Sequence, residues 1–153
     1  VVLSRDDDHL VVATSDGMVT RFVASEARMM GRTAGGVAGM KVAADARLVS
    51  LTVVAPDDEE AVVLTVGADG TAKATSLDEY LPKGRGAKGV TTGIASLAFC
   101  GVATDLHVTA EPPMVLREVD LVVAARASRG TPTGTEITGP VVAEQVTERW
   151  RMP

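Results

Sequence analysis

The sequence predicts an all-β chain, a propeller-like array of about two complete blades and a degenerate third. Three observations predict it. Residues 10–37 lie over residues 63–90, 53 positions later, without a gap. Each copy sets short apolar runs on both sides of an Asp-Gly turn. The period near 50 residues holds about four such runs, which is the repeat length and strand number of a propeller blade.

The elements follow in order. Residues 10–14 (LVVAT) read as a strand, Asp16-Gly17 as its turn and residues 18–23 (MVTRFV) as the returning strand, a hairpin by its turn chemistry. Residues 25–30 can form a helical turn at most, and residues 31–39 hold too many glycines for a regular element. Residues 48–54 (LVSLTVV) complete the first copy. In the second copy, residues 61–66 are a strand, Asp69-Gly70 a turn and residues 71–75 a strand. Residues 77–80 can form a helical turn at most, residues 83–89 read as an irregular Gly-rich loop and residues 94–102 (IASLAFCGV) as a last strand. Glu26 falls on Glu79, Gly31-Arg32 on Gly84-Arg85 and Gly36-Val37 on Gly89-Val90. The 24 valines suit a pleated, half-buried surface. A third copy is read from Leu121, with Arg129-Gly130 in place of Asp-Gly. The blades are placed at about residues 8–60, 61–110 and 111–153. Blades bury their faces against each other, and a set this small predicts a part of a larger ring.

Composition narrows the function. With 153 residues, 46% hydrophobic and 23% charged, the chain can bury a core. The longest apolar stretch, residues 94–103, is too short to span a bilayer. The first residues are acidic and resemble no targeting peptide. One cysteine, Cys100, excludes an internal disulfide framework. A soluble intracellular domain is expected. Net charge is −5, which taken alone argues against nucleic acid. Yet seven of the 20 acids lie in two runs, Asp6-Asp7-Asp8 and Asp57-Asp58-Glu59-Glu60, read as solvated loops. Residues 21–41 carry four basic residues and one acid, and residues 73–88 carry four and two.

The Gly-rich segments carry a family resemblance. Residues 28–54 and 76–90 resemble blades of the C-terminal domain found in the A subunits of bacterial type IIA topoisomerases, DNA gyrase and topoisomerase IV. The shared element is a Gly-Arg-x-x-x-Gly-Val pattern after a Glu-containing segment: residues 31–37 (GRTAGGV) and 84–90 (GRGAKGV). The resemblance covers about residues 8–108, and the tail fits only as a degenerate last blade. It implies a β-pinwheel whose blades exchange strands and whose basic rim binds and bends duplex DNA, guiding strand passage. It implies no catalysis in this stretch, because the family's nucleophilic tyrosine lies in an N-terminal breakage-reunion region. Tyr80 sits inside a blade motif and is not that residue. The implied partners are double-stranded DNA, that breakage-reunion region and the ATPase subunit, in the bacterial cytoplasm and with no membrane. Magnesium and ATP are implied for the whole machine and no cofactor for this chain. Residues 83–89 (KGRGAKG) resemble the family's gyrase box but differ at Lys83, Gly84 and Ala87, which points away from full wrapping and toward topoisomerase IV.

The physical chemistry of the loop stands beside the resemblance. Gly84, Gly86 and Gly89 let backbone N–H groups approach a phosphate. Arg85 can fork onto a phosphate, and Lys83 and Lys88 act as mobile point charges. Such contacts carry no base information, so binding is expected to tolerate sequence and to weaken with salt. Arg21, Arg28, Arg32, Lys41 and Lys73 are the other candidates along a rim. Two rival readings stay open: a protein-interaction module working through the acidic runs, and structural blades that only complete a ring. Gly84-x-Gly86-x-x-Gly89 matches a dinucleotide fingerprint but opens no helix, so it is set aside. His9 and His107 are isolated and read as strand or surface residues, and Cys100 as a buried thiol. Trp150, between Arg149 and Arg151, reads as a packed tail aromatic.

Overall fold

A computed structural model describes residues 2–58 and 60–144. Eleven strands occur among them: β1 (His9–Thr14), β2 (Met18–Val23), β3 (Leu48–Val54), β4 (Val62–Gly67), β5 (Thr71–Ser76), β6 (Val90–Thr91), β7 (Leu97–Val102), β8 (Asp105–Ala110), β9 (Met114–Arg117), β10 (Thr131–Pro132) and β11 (Ile137–Glu144). They form three antiparallel sheets, ordered β3-β1-β2-β6, β10-β5-β4-β7 and β11-β8-β9. The all-β, propeller-like class is as expected, and none of the three sheets closes on itself.

In each of the first two sheets one edge strand is borrowed. β6 belongs to the second sequence repeat but pairs with β2 of the first sheet. β10 lies beyond the third hairpin but pairs with β5 of the second. The third sheet has no strand beyond β9 among the described residues.

The Asp-Gly turns do two jobs. Gly17 and Gly70 have φ of 87° and 80°, a left-handed conformation that a side chain disfavours. Their carbonyls also receive the following unit, from the N–H of Thr92 at 2.9 Å and of Thr133 at 3.0 Å. A Cβ at Gly17 would strike the Ile94 carbonyl, and one at Gly70 the Thr135 carbonyl. One apolar cluster joins the first two sheets through Val11, Ala13, Val19, Val63, Leu97 and Cys100. A second joins the second and third sheets through Leu64, Val66, Phe99, Leu106 and Val108. Alternation along each strand supplies both faces, so successive sheets stack by side-chain burial.

The third repeat has a different register from the one read in the sequence. Its hairpin is β8 and β9, with Glu111-Pro112-Pro113 at the turn where the first two have Asp-Gly. The third sheet therefore begins at Asp105, inside the stretch assigned to the second blade. Leu121 does not open a hairpin. It follows the short 3-10 turn Glu118–Asp120, as Ala27 and Tyr80 follow Ala24–Glu26 and Leu77–Glu79. Residues 122–132 thus correspond to the Gly-rich loop and its strand, 41 positions after residues 81–91.

The first acidic run differs in part from its reading as a solvated loop. Asp57, Asp58 and Glu60 are exposed, and Glu59 lies outside the described residues. Asp8, however, is fully buried, and its carboxylate accepts the Arg5 N–H at 2.6 Å. The carbonyls of Asp6 and Asp8 hold Ser25 and Ala24. The first run is a structural strap.

Candidate nucleic-acid interface

Two Gly-rich segments, residues 28–41 and 83–89, lie side by side. The Gly86 N–H donates to the Gly39 carbonyl at 2.8 Å, and the Lys41 N–H donates to the Ala87 carbonyl at 3.0 Å. These bonds bring Lys41 next to Lys88. Gly89, at φ 87°, turns the chain into β6 so closely over β2 that a Cβ would strike the Val19 carbonyl. Gly84 and Gly86 are unobstructed, and Gly86 also has positive φ, at 81°.

The site separates the predicted cations into two groups. Arg28, Arg32, Lys41, Lys83 and Lys88 are exposed. Among the described residues no ion pair involves any of these five cations. The exposed cations on the two segments are therefore uncompensated by direct pairing.

Arg85 is spent differently from the expected phosphate fork. Its backbone N–H donates to Glu26 Oε2 at 2.7 Å, its Nε to the Glu26 carbonyl at 3.1 Å and an Nη to the Ala38 carbonyl at 2.7 Å. Planar guanidinium donors match such paired acceptors. Arg85 fastens the second loop onto the first unit. The same latch recurs one unit later, where the Arg126 N–H donates to Glu79 Oε2 at 2.7 Å and its guanidinium to the Thr91 carbonyl. The sequence reading missed Arg126. Gly130, left-handed at φ 79° like Gly89 at 87°, marks the register that would have revealed it.

Arg21 and Lys73 are not rim residues here. Arg21 is half-buried; its Nε donates to His9 Nδ1 at 2.7 Å, and Nη1 reaches the Leu77 and Tyr80 carbonyls at 3.5 Å. Burial, with Arg21 second, holds His9 below the ordinary histidine value, so the ring is the neutral acceptor. Lys73 is fully buried, and the three N–H groups of its Nζ are shared among the carbonyls of Thr92, Ala125, Arg126 and Ser128 at 2.6–3.0 Å. Buried in a strand, that ammonium has no path to a phosphate. Burial lowers its pKa, while four carbonyl acceptors keep it useful as a cation. What it secures is the loop carrying Arg129, an exposed cation in the place of Lys88 that the sequence reading also missed.

Among the described residues nothing else gathers into a reactive centre. Cys100 is buried against Thr65 Oγ1 at 3.3 Å, and burial pushes its thiol up to about 12. The Tyr80 phenol is buried and raised above the ordinary tyrosine value for the same reason. Among the described residues no three His, Cys, Asp or Glu side chains are grouped as metal ligands. No described helix is long and apolar enough to cross a membrane. Trp150 and its flanking arginines lie outside the described residues.

Comparison with known proteins places this geometry. The family described as "DNA gyrase C-terminal domain, beta-propeller" matches residues 8–55 and 61–93. The DNA gyrase A subunit of Kosmotoga olearia is 35% identical over 145 residues, 94% of this chain and 18% of that protein. The DNA gyrase A subunit of Mycolicibacterium smegmatis is 43% identical over 93 residues, 60% of this chain and 11% of that protein. The chain thus spans under a fifth of the length of these curated relatives. Among solved structures, the C-terminal domain of DNA topoisomerase IV superposes with a TM-score of 0.77 at 21% identity, over 90% of this chain and 47% of that one. The C-terminal domain of DNA gyrase A superposes with a TM-score of 0.71 at 18% identity, over 94% and 50%. The structural likenesses establish the fold, and the sequence matches establish kinship.

Proposed function

This chain belongs to the family of DNA gyrase C-terminal propeller domains, and from that premise we propose that it binds duplex DNA and bends it along a rim of Gly-rich loops. It acts as the non-catalytic C-terminal part of the A subunit of a bacterial type IIA topoisomerase, guiding strand passage. In this reading its partners are the ATPase subunit of the holoenzyme and the breakage-reunion region of its own polypeptide, which hold the chemistry that uses magnesium and ATP.

The observation that carries the reading is the convergence of Lys41 and Lys88 on adjoining loops, with Lys83 and Arg28 exposed on the same two segments and without ion-pair partners. Lysines on such loops suit phosphates along a curved backbone, since a compact ammonium asks for no fixed approach. Bending a duplex costs on the order of several kcal/mol, so several contacts must act together. The path continues at Arg129 on the third repeat. Arg85 contributes by fixing the loop rather than by touching DNA, and Lys73 does the same for the loop of Arg129.

Fluorescence anisotropy with a labelled duplex tests this, at low and moderate salt. We expect the parent to bind with a steep salt slope. Lys41→Ala/Lys83→Ala/Lys88→Ala together should weaken binding and flatten the slope by roughly 0.9 for each phosphate no longer neutralised. If parent and variant bind equally with equal slopes, these lysines do not touch the duplex. If neither binds, alone or within the intact subunit, the rival readings as a protein-interaction module or as structural blades take its place.

A further inference from the structure

The segments that follow the three 3-10 turns share one property. The second and third turns lead into an inward residue: Tyr80 is buried in the first cluster, and Leu121 packs against the second. The large apolar side chains just beyond face solvent. Met29 is 100% exposed, Leu81 69%, Val122 56% and Val123 72%. In the repeat, Met29 falls on Pro82 and Val123, and Leu81 falls on Val122. One exposed apolar side chain is ordinary on any surface. Three successive units that present one at the same place form a row.

Two of these positions stand on pinned backbone. On either side of Leu81, the Tyr80 N–H donates to the Leu77 carbonyl at 2.9 Å and the Lys83 N–H to the Arg21 carbonyl at 2.7 Å. One unit later the Ala74 N–H donates to the Val122 carbonyl at 3.1 Å, and the Ala124 N–H to the Ala74 carbonyl at 2.9 Å. Pro82 fixes its own φ and restricts Leu81 before it. Leu81 therefore protrudes from a stiff edge.

Charge says what such an edge fits. Arg28 adjoins Met29, and Lys83 lies two residues beyond Leu81; both are exposed and outside any ion pair among the described residues. The acids of the first two turns are engaged elsewhere. Glu26 and Glu79 accept the backbone N–H groups of Arg85 and Arg126, and Asp78 lies in the field of Arg21. On the third turn Glu118 and Asp120 are exposed just before Val122, which disfavours an anionic occupant there.

We propose that Met29 and Leu81 are apolar wedges that enter the minor groove of a duplex beside phosphates held by Arg28 and Lys83, and partly unstack a base step there. The inference rests on the DNA-binding reading above and deepens it. A groove is anionic along its rims and apolar between its base planes, which matches an apolar tip flanked by unpaired cations. Bending is then concentrated in kinks at the steps that yield most easily, T-A and C-A. Contacts to phosphate alone carry no sequence information, so the wedges add a preference for deformable sequence.

Permanganate, which oxidises unstacked thymines, reads this on the intact subunit bound to a duplex with T-A steps along its length. The parent should raise thymine reactivity at a subset of those steps about fivefold over free duplex. Met29→Ser/Leu81→Ser should return that subset to the free level, with affinity about threefold lower and the salt slope unchanged, because no phosphate contact is lost. Met29→Leu/Leu81→Met should keep the signal. Val115→Ser, at a half-exposed valine of β9, is the control and should behave as the parent. Circular dichroism verifies that each variant is folded. If the parent binds but no thymine responds, or the serine variant leaves every thymine as reactive as the parent does, the wedges are overturned and the DNA reading stands. If the parent binds no duplex, both fall. Serine-sensitive retention on phosphatidylglycerol vesicles without a thymine signal would assign the row to a lipid surface and overturn the proposal.

Discussion

Lys73 is the residue whose chemistry is least visible in the sequence. Read as a cation in a basic stretch, it belongs on a surface. In the fold its position in β5 points inward, and the carbonyls of the next loop converge on it. No periodicity reveals that, because the acceptors are backbone atoms about 50 residues away. Lys73→Met keeps the stem but strands the carbonyls, and we expect a loss of about 3 kcal/mol in urea denaturation. Its signature beyond stability is faster hydrogen exchange confined to residues 125–130. His9 is the other residue with a measurable consequence. Its pKa is lowered on folding from 6.5, so the unfolded chain binds the proton more readily. The stability tied to the Arg21 bond is full above about pH 6.5 and falls as acid is added. His9→Gln, an acceptor at every pH, should flatten that decline in thermal melts between pH 7 and 5.

At the scale of elements, the repeat is legible where turn chemistry repeats and illegible where it changes. Asp16-Gly17 and Asp69-Gly70 announce the first two hairpins, because the turn demands a residue free to adopt positive φ. The third hairpin turns on Glu111-Pro112-Pro113, so the next Gly turn in the sequence is Arg129-Gly130, which serves a loop instead. The borrowed strands β6 and β10, two residues each, are too short for any pattern to declare. The Gly-rich loop stands out in the sequence as a special segment, but the division of labour within it is not readable there. Both Arg85 and Lys83 look like phosphate ligands until the acceptors around Arg85 are known. Gly89 is the hinge between that loop and β6. Gly89→Ala combines a left-handed backbone with a Cβ against the Val19 carbonyl. We expect a loss of at least about 2 kcal/mol and release of β6, seen as loss of amide protection at residues 90–91.

Across the whole molecule, a net charge of −5 coexists with a candidate binding surface of the opposite sign. Such segregation shapes the long-range field that an approaching duplex meets, and salt screens it. The exposed carboxylates of Asp57, Asp58 and Glu60 sit on the turn between β3 and β4. Neutralising them as Asp57→Asn/Asp58→Asn/Glu60→Gln should tighten duplex binding several-fold at low salt and leave it nearly unchanged at high salt. Equal affinities for variant and parent at every salt concentration would show that this run is electrostatically silent.

Because the second and third Gly-rich loops each complete the unit before them, a segment one repeat long contains one donor and one acceptor wherever its ends are chosen. Copying or losing such a segment through recombination leaves every remaining junction matched, with no second substitution to repair it. Lineages built on this plan are free to vary how many units they carry, and with that the length of curved surface they offer.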